Sequence, residues 1–183
     1  HRTHEITPYN TFEASYRLFQ TVEYWPEGTT FVSVVDPGVG FSRKSVVALT
    51  KTGQYIVTPD NGTLSYIKKV VGIVAVREIS EVENRRSNTE LSYTFHGRDV
   101  YAYTGAKLAS GHISFEEVGP ELPVDKILEL PVVETIIEDN LVRGAIDILD
   151  VRFGSLWTSI TRDDFYALDP NFGDRFEVTI FNN

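Results

Sequence analysis

The sequence predicts an α/β domain with a central mixed sheet, followed by a second, all-β domain. Three observations support this fold class: a capped helix near the start, β-type runs that alternate with helical segments to about residue 130, and mostly β-type runs after Pro131. Alternating helices and strands are typical of an α/β fold. We therefore predict an α/β domain over residues 1–131 and an all-β domain over residues 132–183.

The first helix is predicted from its N-terminal cap. Asn10 precedes a segment with aromatic residues at helical spacing, and Glu13 stands three residues later, which completes a capping-box pattern. A Pro-Glu-Gly turn at 26–28 ends the helix. The nearly continuous apolar run 31–35 follows, and such a run predicts a strand buried on both faces.

The later elements follow from short β-type runs and turn signals. In the first domain we predict strands over 45–49, 55–58 and 73–79, the first two joined as a hairpin. The sequence PDNG at 59–62 is a strong turn signal. Asp99 is expected to cap a helix that runs to Ser110, before the stop at Gly111. In the second domain we predict strands over 132–137, 141–151, 157–161 and 176–181, and one short helical turn.

The composition excludes several classes of function. The chain has 183 residues with 17 Lys and Arg against 26 Asp and Glu, a net charge of −9, so we expect no nucleic-acid partner. No apolar run approaches the roughly 20 residues of a membrane helix, and we expect no membrane partner. Without cysteine, disulfides and thiolate chemistry are excluded. This suits a reducing compartment, and we expect a cytoplasmic protein.

Residues 36–43, DPGVGFSR, carry the most informative pattern. Asp36 follows a predicted strand at the end where open α/β sheets place their ligand crevices. Arg43 supplies a counter-charge that favours the ionised carboxylate. The same residues are compatible with a structural turn and an incidental ion pair, and both interpretations stay open. The dinucleotide fingerprint is absent, because Arg43 stands where its third glycine would be.

Residues 94–99, TFHGRD, contain His96 just before a predicted helix. A histidine between small and charged residues at such a position can face a cleft and act as a general base. The alternative is a histidine whose hydrogen bonds are satisfied at the helix end.

A third candidate lies in the second domain. Asp147 and Asp150 are three residues apart on a predicted strand, so we expect them on opposite faces. Phe153 and Trp157 follow Asp150, and aromatic rings beside a carboxylate suit a flat cationic ligand. The alternative is that these residues belong to the core of the β-domain.

Taken together, residues 34–40, Arg43, 59–62 and 94–99 resemble, in order and spacing, the S-adenosylmethionine hydroxide adenosyltransferases. These enzymes are hydrolytic relatives of the fluorinases and chlorinases. The resemblance implies that the second domain is β-barrel-like. It also implies a homotrimer whose active sites lie between the first domain of one subunit and the second domain of its neighbour. The implied reaction is hydrolysis of S-adenosylmethionine to adenosine and methionine, with no metal and no cofactor.

The resemblance also implies roles for individual residues. Asp36, Arg43 and His96 match the family's water-activating triad. Substrate contacts fall on Tyr9, Thr94, Phe95, Asp150, Phe153, Ser155 and Trp157. Of these, Asp150 matches the carboxylate that holds the methionine amino group, and the aromatic pair that follows it lines the adenine pocket.

The sequence departs from the family pattern in three places. Ser155 stands where the family commonly has Asn, so one hydrogen bond to adenine is in question. The family's first strand, whose Asp holds the ribose, and its C-terminal portion have no counterpart here. Since the chain also lacks methionine, we expect a piece of a longer protein.

Two other functions stay open on the sequence. One is a binding module that holds adenosine or S-adenosylmethionine without turnover. The other is a halide-dependent adenosyl transferase. Halogenating relatives carry Tyr, Thr and Ser where this chain has Asp36, Val39 and Gly97, which favours hydrolysis.

Overall fold

The fold is taken from a computed structural model that describes residues 2–36, 38–40, 42–91 and 94–181. Pro37 and Phe41, which belong to the 36–43 pattern, lie outside the described residues. The chain divides into two compact units, His1–Leu130 and Pro131–Asn183.

The first unit contains three helices, five strands and several short helical turns in the described part of the chain. The helices are α1 (Thr11–Val22), α2 (Glu81–Asn84) and α3 (Tyr103–Ala109). The strands are β1 (Thr30–Val32), β2 (Ser45–Thr50), β3 (Tyr55–Pro59), β4 (Ile73–Glu78) and β5 (Glu121–Leu122). Two π-helical segments span Ile67–Val71 and Gly97–Ala102, and 3-10 turns span Glu116–Val118 and Val124–Lys126.

The five strands form one mixed sheet in the order β1-β3-β2-β4-β5. β1 and β3 are parallel, and every other neighbouring pair is antiparallel. The α/β class with a mixed sheet is therefore confirmed, and the 45–58 hairpin forms with Val47 opposite Val57.

The sheet has a packed apolar cluster on each face, because successive side chains of a strand point to opposite sides. Val46 and Ala48 belong to one cluster together with Leu18 of α1. Val47 belongs to the other cluster together with Tyr101. Helical segments cover both faces of the central strands, which is the layered arrangement of an α/β domain.

The prediction of the first helix is confirmed. The Asn10 side chain accepts a hydrogen bond from the Glu13 backbone N–H at 3.0 Å, as an N-terminal cap requires. The Glu13 carboxylate reaches one turn further back than expected and accepts from the Thr7 N–H at 2.9 Å.

Two predictions in this unit, by contrast, are wrong. The run 31–35 is not buried on both faces: β1 pairs only with β3 among the described strands, and Val32 is 44% exposed. Asp99 is not a cap, because the helical segment begins earlier, at Gly97. The buried Asp99 carboxylate instead receives two hydrogen bonds from Arg98, at 2.6 and 2.9 Å, and this interaction lowers the pKa of Asp99.

Over its described residues, 131–181, the second unit contains two separate hairpins and one short helix. Its elements are β6 (Ile136–Glu138), β7 (Leu141–Arg143), β8 (Ile146–Asp150), β9 (Ser155–Thr158) and α4 (Arg162–Tyr166). β6 pairs with β7 and β8 pairs with β9, so the described strands close no barrel. The predicted strand 141–151 is divided at Gly144, and 176–181 forms no strand over its described residues.

Within the described residues, no helix combines the length and the apolar character needed to cross a membrane.

Helix α3 approaches β1 closely at a glycine. A Cβ at Gly105 would lie 2.5 Å from Cγ2 of Val32, and overpacking of this kind typically costs about 1–3 kcal/mol. Gly105→Ala should therefore lower the free energy of unfolding in urea, although alanine favours a helix by about 1 kcal/mol. The double variant V32A/G105A should be less destabilised than the sum of the two single variants. A neutral or stabilising G105A would contradict this packing.

Candidate active site

The site is built where two parallel strands end. Parallel strands have their carboxyl ends at the same edge of a sheet, where open α/β sheets bind ligands. The pairing of β1 with β3 continues beyond β1, since the Ser33 N–H donates to the Val57 carbonyl at 2.9 Å. The chain then reaches Asp36 after β1 and Asn61 after β3, so these two side chains meet.

The Asp36 carboxylate is almost fully enclosed and receives three donors. Arg43 Nε lies 2.7 Å from Oδ2, the Gly38 N–H donates to Oδ1 at 2.6 Å, and Asn61 Nδ2 donates to Oδ2 at 3.2 Å. The Asp36 side chain is 1% exposed, whereas Arg43 is 36% exposed. The predicted pairing of Asp36 with Arg43 is present. Because every partner is a donor and one is a cation, the site stabilises the carboxylate anion.

Asn61 is a member of the site that the sequence analysis did not select. Its amide Nδ2 bridges the Asp36 carboxylate and the Val35 carbonyl at 3.0 Å. Its Oδ1 accepts from both the backbone N–H and the hydroxyl of Thr63, at 3.1 and 2.6 Å. Thr63 thus fixes which end of the buried amide faces Asp36. The signal was available in PDNG at 59–62, which was interpreted as a turn and as part of the family pattern, without a role for Asn61.

Gly38 is favoured by the close packing around Asp36. A Cβ at Gly38 would lie 3.1 Å from Asp36 Oδ1 and 3.3 Å from an Arg43 guanidinium nitrogen. A larger residue would therefore press on both members of the ion pair. The DPG sequence brings the Gly38 N–H to the carboxylate without this obstruction.

His96 lies deeper than the sequence predicts. Its side chain is 2% exposed, so the expectation that the imidazole faces a cleft is wrong for this structure. Its Nε2 lies 3.4 Å from Arg85 Nη1 and 3.4 Å from Glu81 Oε1. The charged side chains of Glu81, in α2, and of Arg85, which follows α2, lie beside this nitrogen.

The helix start that carries His96 packs beside the strand end that carries Asp36. A Cβ at Gly97 would lie 3.8 Å from Cγ1 of Val34, which stands two residues before Asp36. Tyr101, one turn further along, is fully buried and receives a hydrogen bond from Ser45 Oγ at 2.7 Å. Burial raises the pKa of Tyr101 to about 12, and the charges of Asp36 and Glu81 both contribute to the rise.

A cleft of about 320 Å³ opens beside this strand end. It is lined by Thr3, His4, Ile6, Pro8, Tyr9, Val34, Val35 and Asp36. The structure thus brings Tyr9 to the same cleft as Asp36. Tyr9 is 70% exposed and has a positive φ of 69°, a conformation that is uncommon for a bulky residue.

The other predicted substrate residues of the first unit lie on the surface. Thr94 is exposed, and Phe95 is 54% exposed with the Arg98 guanidinium 4.9 Å from its ring centroid. Both precede the buried His96, so the segment leads from the surface into the interior.

In the second unit the predicted residues surround the β8–β9 turn. Asp150 Oδ1 accepts from the backbone N–H groups of Arg152 and Phe153, at 3.2 and 3.4 Å. Ser155 pairs with Asp150, and Phe153 is 83% exposed, which argues against a place in the core for this ring. A bulge between Ile146 and Ile148 interrupts the strand alternation from which opposite faces were expected for Asp147 and Asp150.

In the described part of the chain, no group of three or more His, Asp or Glu side chains is arranged to hold a metal ion. The expectation of a reaction without metal or cofactor stays a prediction.

The fold and the site define an α/β domain with a ligand crevice at adjoining strand ends. The model of the SAM hydroxide adenosyltransferase N-terminal domain matches residues 2–119. The chain belongs to this SAM hydroxide adenosyltransferase family. The family prediction from the sequence is confirmed.

Individual relatives agree with this membership. The chain is 36% identical over 162 residues to the (R)-S-adenosyl-L-methionine hydrolase of Methanocaldococcus jannaschii, covering 88% of this chain and 54% of the relative. It is 26% identical over 200 residues to the fluorinase of Actinopolyspora mzabensis, covering 97% and 66%. A crystal structure of an uncharacterized conserved protein from Thermotoga maritima superposes with a TM-score of 0.86 at 38% identity, covering 94% and 64%. The chain thus spans little more than half of the hydrolase from M. jannaschii.

The contact between Asn61 and Asp36 leads to a prediction about how the stability of a variant depends on pH. Asn61→Asp places a second carboxylate beside Asp36, so one of the two carboxyl groups should keep its proton above the usual pKa range. The folded variant then binds more protons than its unfolded chain, so its stability deficit should grow as pH rises from 5 to 8. Urea unfolding of the variant and the wild type over this range measures the deficit.

Asn61→Ala is the matched control, because it removes the amide without adding a charge. Its deficit should be about 1–3 kcal/mol for the lost hydrogen bonds and should not change with pH. Equal pH dependence of the two variants would show that residue 61 does not act on Asp36.

The raised pKa of Tyr101 predicts that the folded protein loses stability at high pH. Its pKa is about 12 in the folded protein against 10.0 ordinarily, so between these values the unfolded chain loses the proton first. Stability should then fall as pH rises from 10 to 12, by up to about 1.4 kcal/mol per pH unit. Tyr101→Phe should remove this component, whereas Tyr24→Phe, at an exposed tyrosine, should keep it. If the free energy of unfolding falls equally with pH in the wild type and Y101F, the loss of stability does not come from Tyr101.

Proposed function

We propose that the protein hydrolyses S-adenosyl-L-methionine to adenosine and L-methionine. The observation that carries this proposal is the buried Asp36 carboxylate, held by Arg43, Gly38 and Asn61 beside the cleft that Tyr9 lines. Family membership and the names of the hydrolase relatives support the same activity.

The reaction is an in-line displacement at C5′ of the substrate. A water oxygen forms the new bond to C5′, and the electron pair of the C5′–S bond passes to the sulfonium sulfur, which becomes a neutral thioether. Because the leaving group is neutral, it needs no acid. The main demands are therefore to hold and to activate the water, and correct placement of the nucleophile alone can remove several kcal/mol of barrier.

In this proposal the members of the triad share two tasks, holding the water and activating it. Asp36 lines the cleft, where it would orient the water and offset the positive charge of the sulfonium, and Arg43 would hold the Asp36 carboxylate in place through their ion pair. His96 takes the proton that the water loses. General-base catalysis by a positioned group typically contributes about 10²–10⁴-fold.

We further propose that the substrate contacts are shared between subunits of a homotrimer. Tyr9, Thr94 and Phe95 would contact the substrate from one subunit. Asp150, Phe153, Ser155 and Trp157 would contact it from the neighbour, whose second unit would be completed to a barrel-like domain. The exposure of Phe153 in a single chain supports this arrangement. The cytoplasmic location also stays a prediction.

A second candidate function is an adenosine or S-adenosylmethionine binding module without turnover. The observation that favours it is burial: the side chains of Asp36 and His96 are 1% and 2% exposed. A base with so little exposure needs a rearrangement before it contacts water.

Turnover and binding distinguish the two functions. We expect full-length protein incubated with S-adenosylmethionine to release adenosine, measured by chromatography, and His96→Gln to lower kcat by about 10²–10⁴-fold. His112→Gln is the matched control, since His112 is exposed and outside the site. Calorimetric binding of adenosine without any product would select the binding module, and equal rates for H96Q and H112Q would exclude His96 as the base.

A further inference from the structure

A second cluster of charged side chains surrounds His96. Glu81 and Arg85 are joined by an ion pair of 2.7 Å between Glu81 Oε2 and Arg85 Nη1. His96 Nε2 lies 3.4 Å from that same Nη1 and 3.4 Å from the other carboxylate oxygen of Glu81. Arg85 is 7% exposed and Glu81 is 40% exposed, so the cluster reaches from the interior to the surface.

One imidazole nitrogen therefore faces a donor and an acceptor. Nε2 can accept a hydrogen bond from Arg85 only while it carries no proton, and it can donate to Glu81 only while it carries one. The guanidinium keeps its charge at every relevant pH. The partner of Nε2 thus depends on whether this nitrogen carries a proton, as it does in one tautomer of the neutral ring and in the protonated ring.

We propose that Glu81, held in place by Arg85, is the positioning residue that stabilises protonated His96 during the reaction. This inference rests on the proposed function, in which His96 accepts a proton from the attacking water. One O–H bond of the water breaks, its electron pair remains on the oxygen that bonds to C5′, and the proton passes to the imidazole ring. The positive charge formed on the ring is then compensated by the Glu81 carboxylate.

The other charged groups nearby are already matched. Asp99 is bound by Arg98 and also interacts with Arg85 and Arg86. Asp36 is bound by Arg43, and Tyr101 keeps its proton to about pH 12. Among the described residues, Glu81 is the carboxylate placed in contact with the His96 ring.

An NMR titration tests the coupling without requiring activity. The Cε1–H signal of His96 in the full-length protein is assigned by its loss in H96Q and followed from pH 4 to 9. Glu81→Gln keeps the shape of the side chain and removes its charge, so the titration midpoint should move to lower pH by about one unit or more. Glu83→Gln removes one charge from an exposed position of the same helix and should leave the midpoint unchanged.

Arg85→Met tests the opposing charge. Removing the guanidinium takes a cation from beside Nε2, so the midpoint should move to higher pH. Equal midpoints in E81Q, E83Q and the wild type would overturn the inference. Thermal unfolding of each variant establishes that the comparison is made between folded proteins.

Kinetics then connect the cluster to the reaction. E81Q should lower kcat about 10-fold or more with KM changed less than 2-fold, and the acidic limb of its kcat–pH profile should move to lower pH with the NMR midpoint. A midpoint that moves while kcat and its profile stay at the E83Q values would overturn the catalytic role of Glu81. Absence of turnover in the wild type would instead refute the proposed function, and the titration would still decide whether Glu81 and His96 are coupled.

Discussion

The parallel pairing of β1 with β3 is the constraint on which the rest of the site depends. It brings the residues that follow both strands to one edge of the sheet, and only there can Asn61 reach Asp36. A buried carboxylate is costly unless its hydrogen bonds are satisfied. Asp36 meets this condition with two donors from its own segment, Gly38 and Arg43, and a third from Asn61 after β3.

The two charged clusters of the first unit are connected through Tyr101. This residue packs in the core on one face of the sheet, with Val47 and Val57 in the same cluster, and its hydroxyl is held by Ser45. The charges of both Asp36 and Glu81 act on it and help to raise its pKa. The carboxylate end of the site and the histidine end therefore share one electrostatic environment.

Much of this could be predicted from local sequence, and the errors have physical reasons. The Asn10 cap and the 45–58 hairpin depend on neighbouring residues, so patterns of a few residues identify them. The burial of β1 depends on which strands lie beside it, and an apolar run carries no such information. The role of Asn61 was missed because it arises from a contact across 25 positions. His96 was selected as a candidate from its neighbours in the sequence, but its burial depends on α2, which the sequence analysis did not predict.

The hydrogen-bond donors around Asp36 bear on which of the family's reactions suits this site. In halogenating relatives a tyrosine is expected at this position. A phenol carries no charge at neutral pH and offers fewer acceptor sites than a carboxylate. With tyrosine, Arg43 would lose its anionic partner, and the Gly38 N–H would lose the carboxylate oxygen to which it donates here. The three donors observed here fit a carboxylate specifically. They therefore support the hydrolysis proposed above, because the aspartate at position 36 satisfies all three donors.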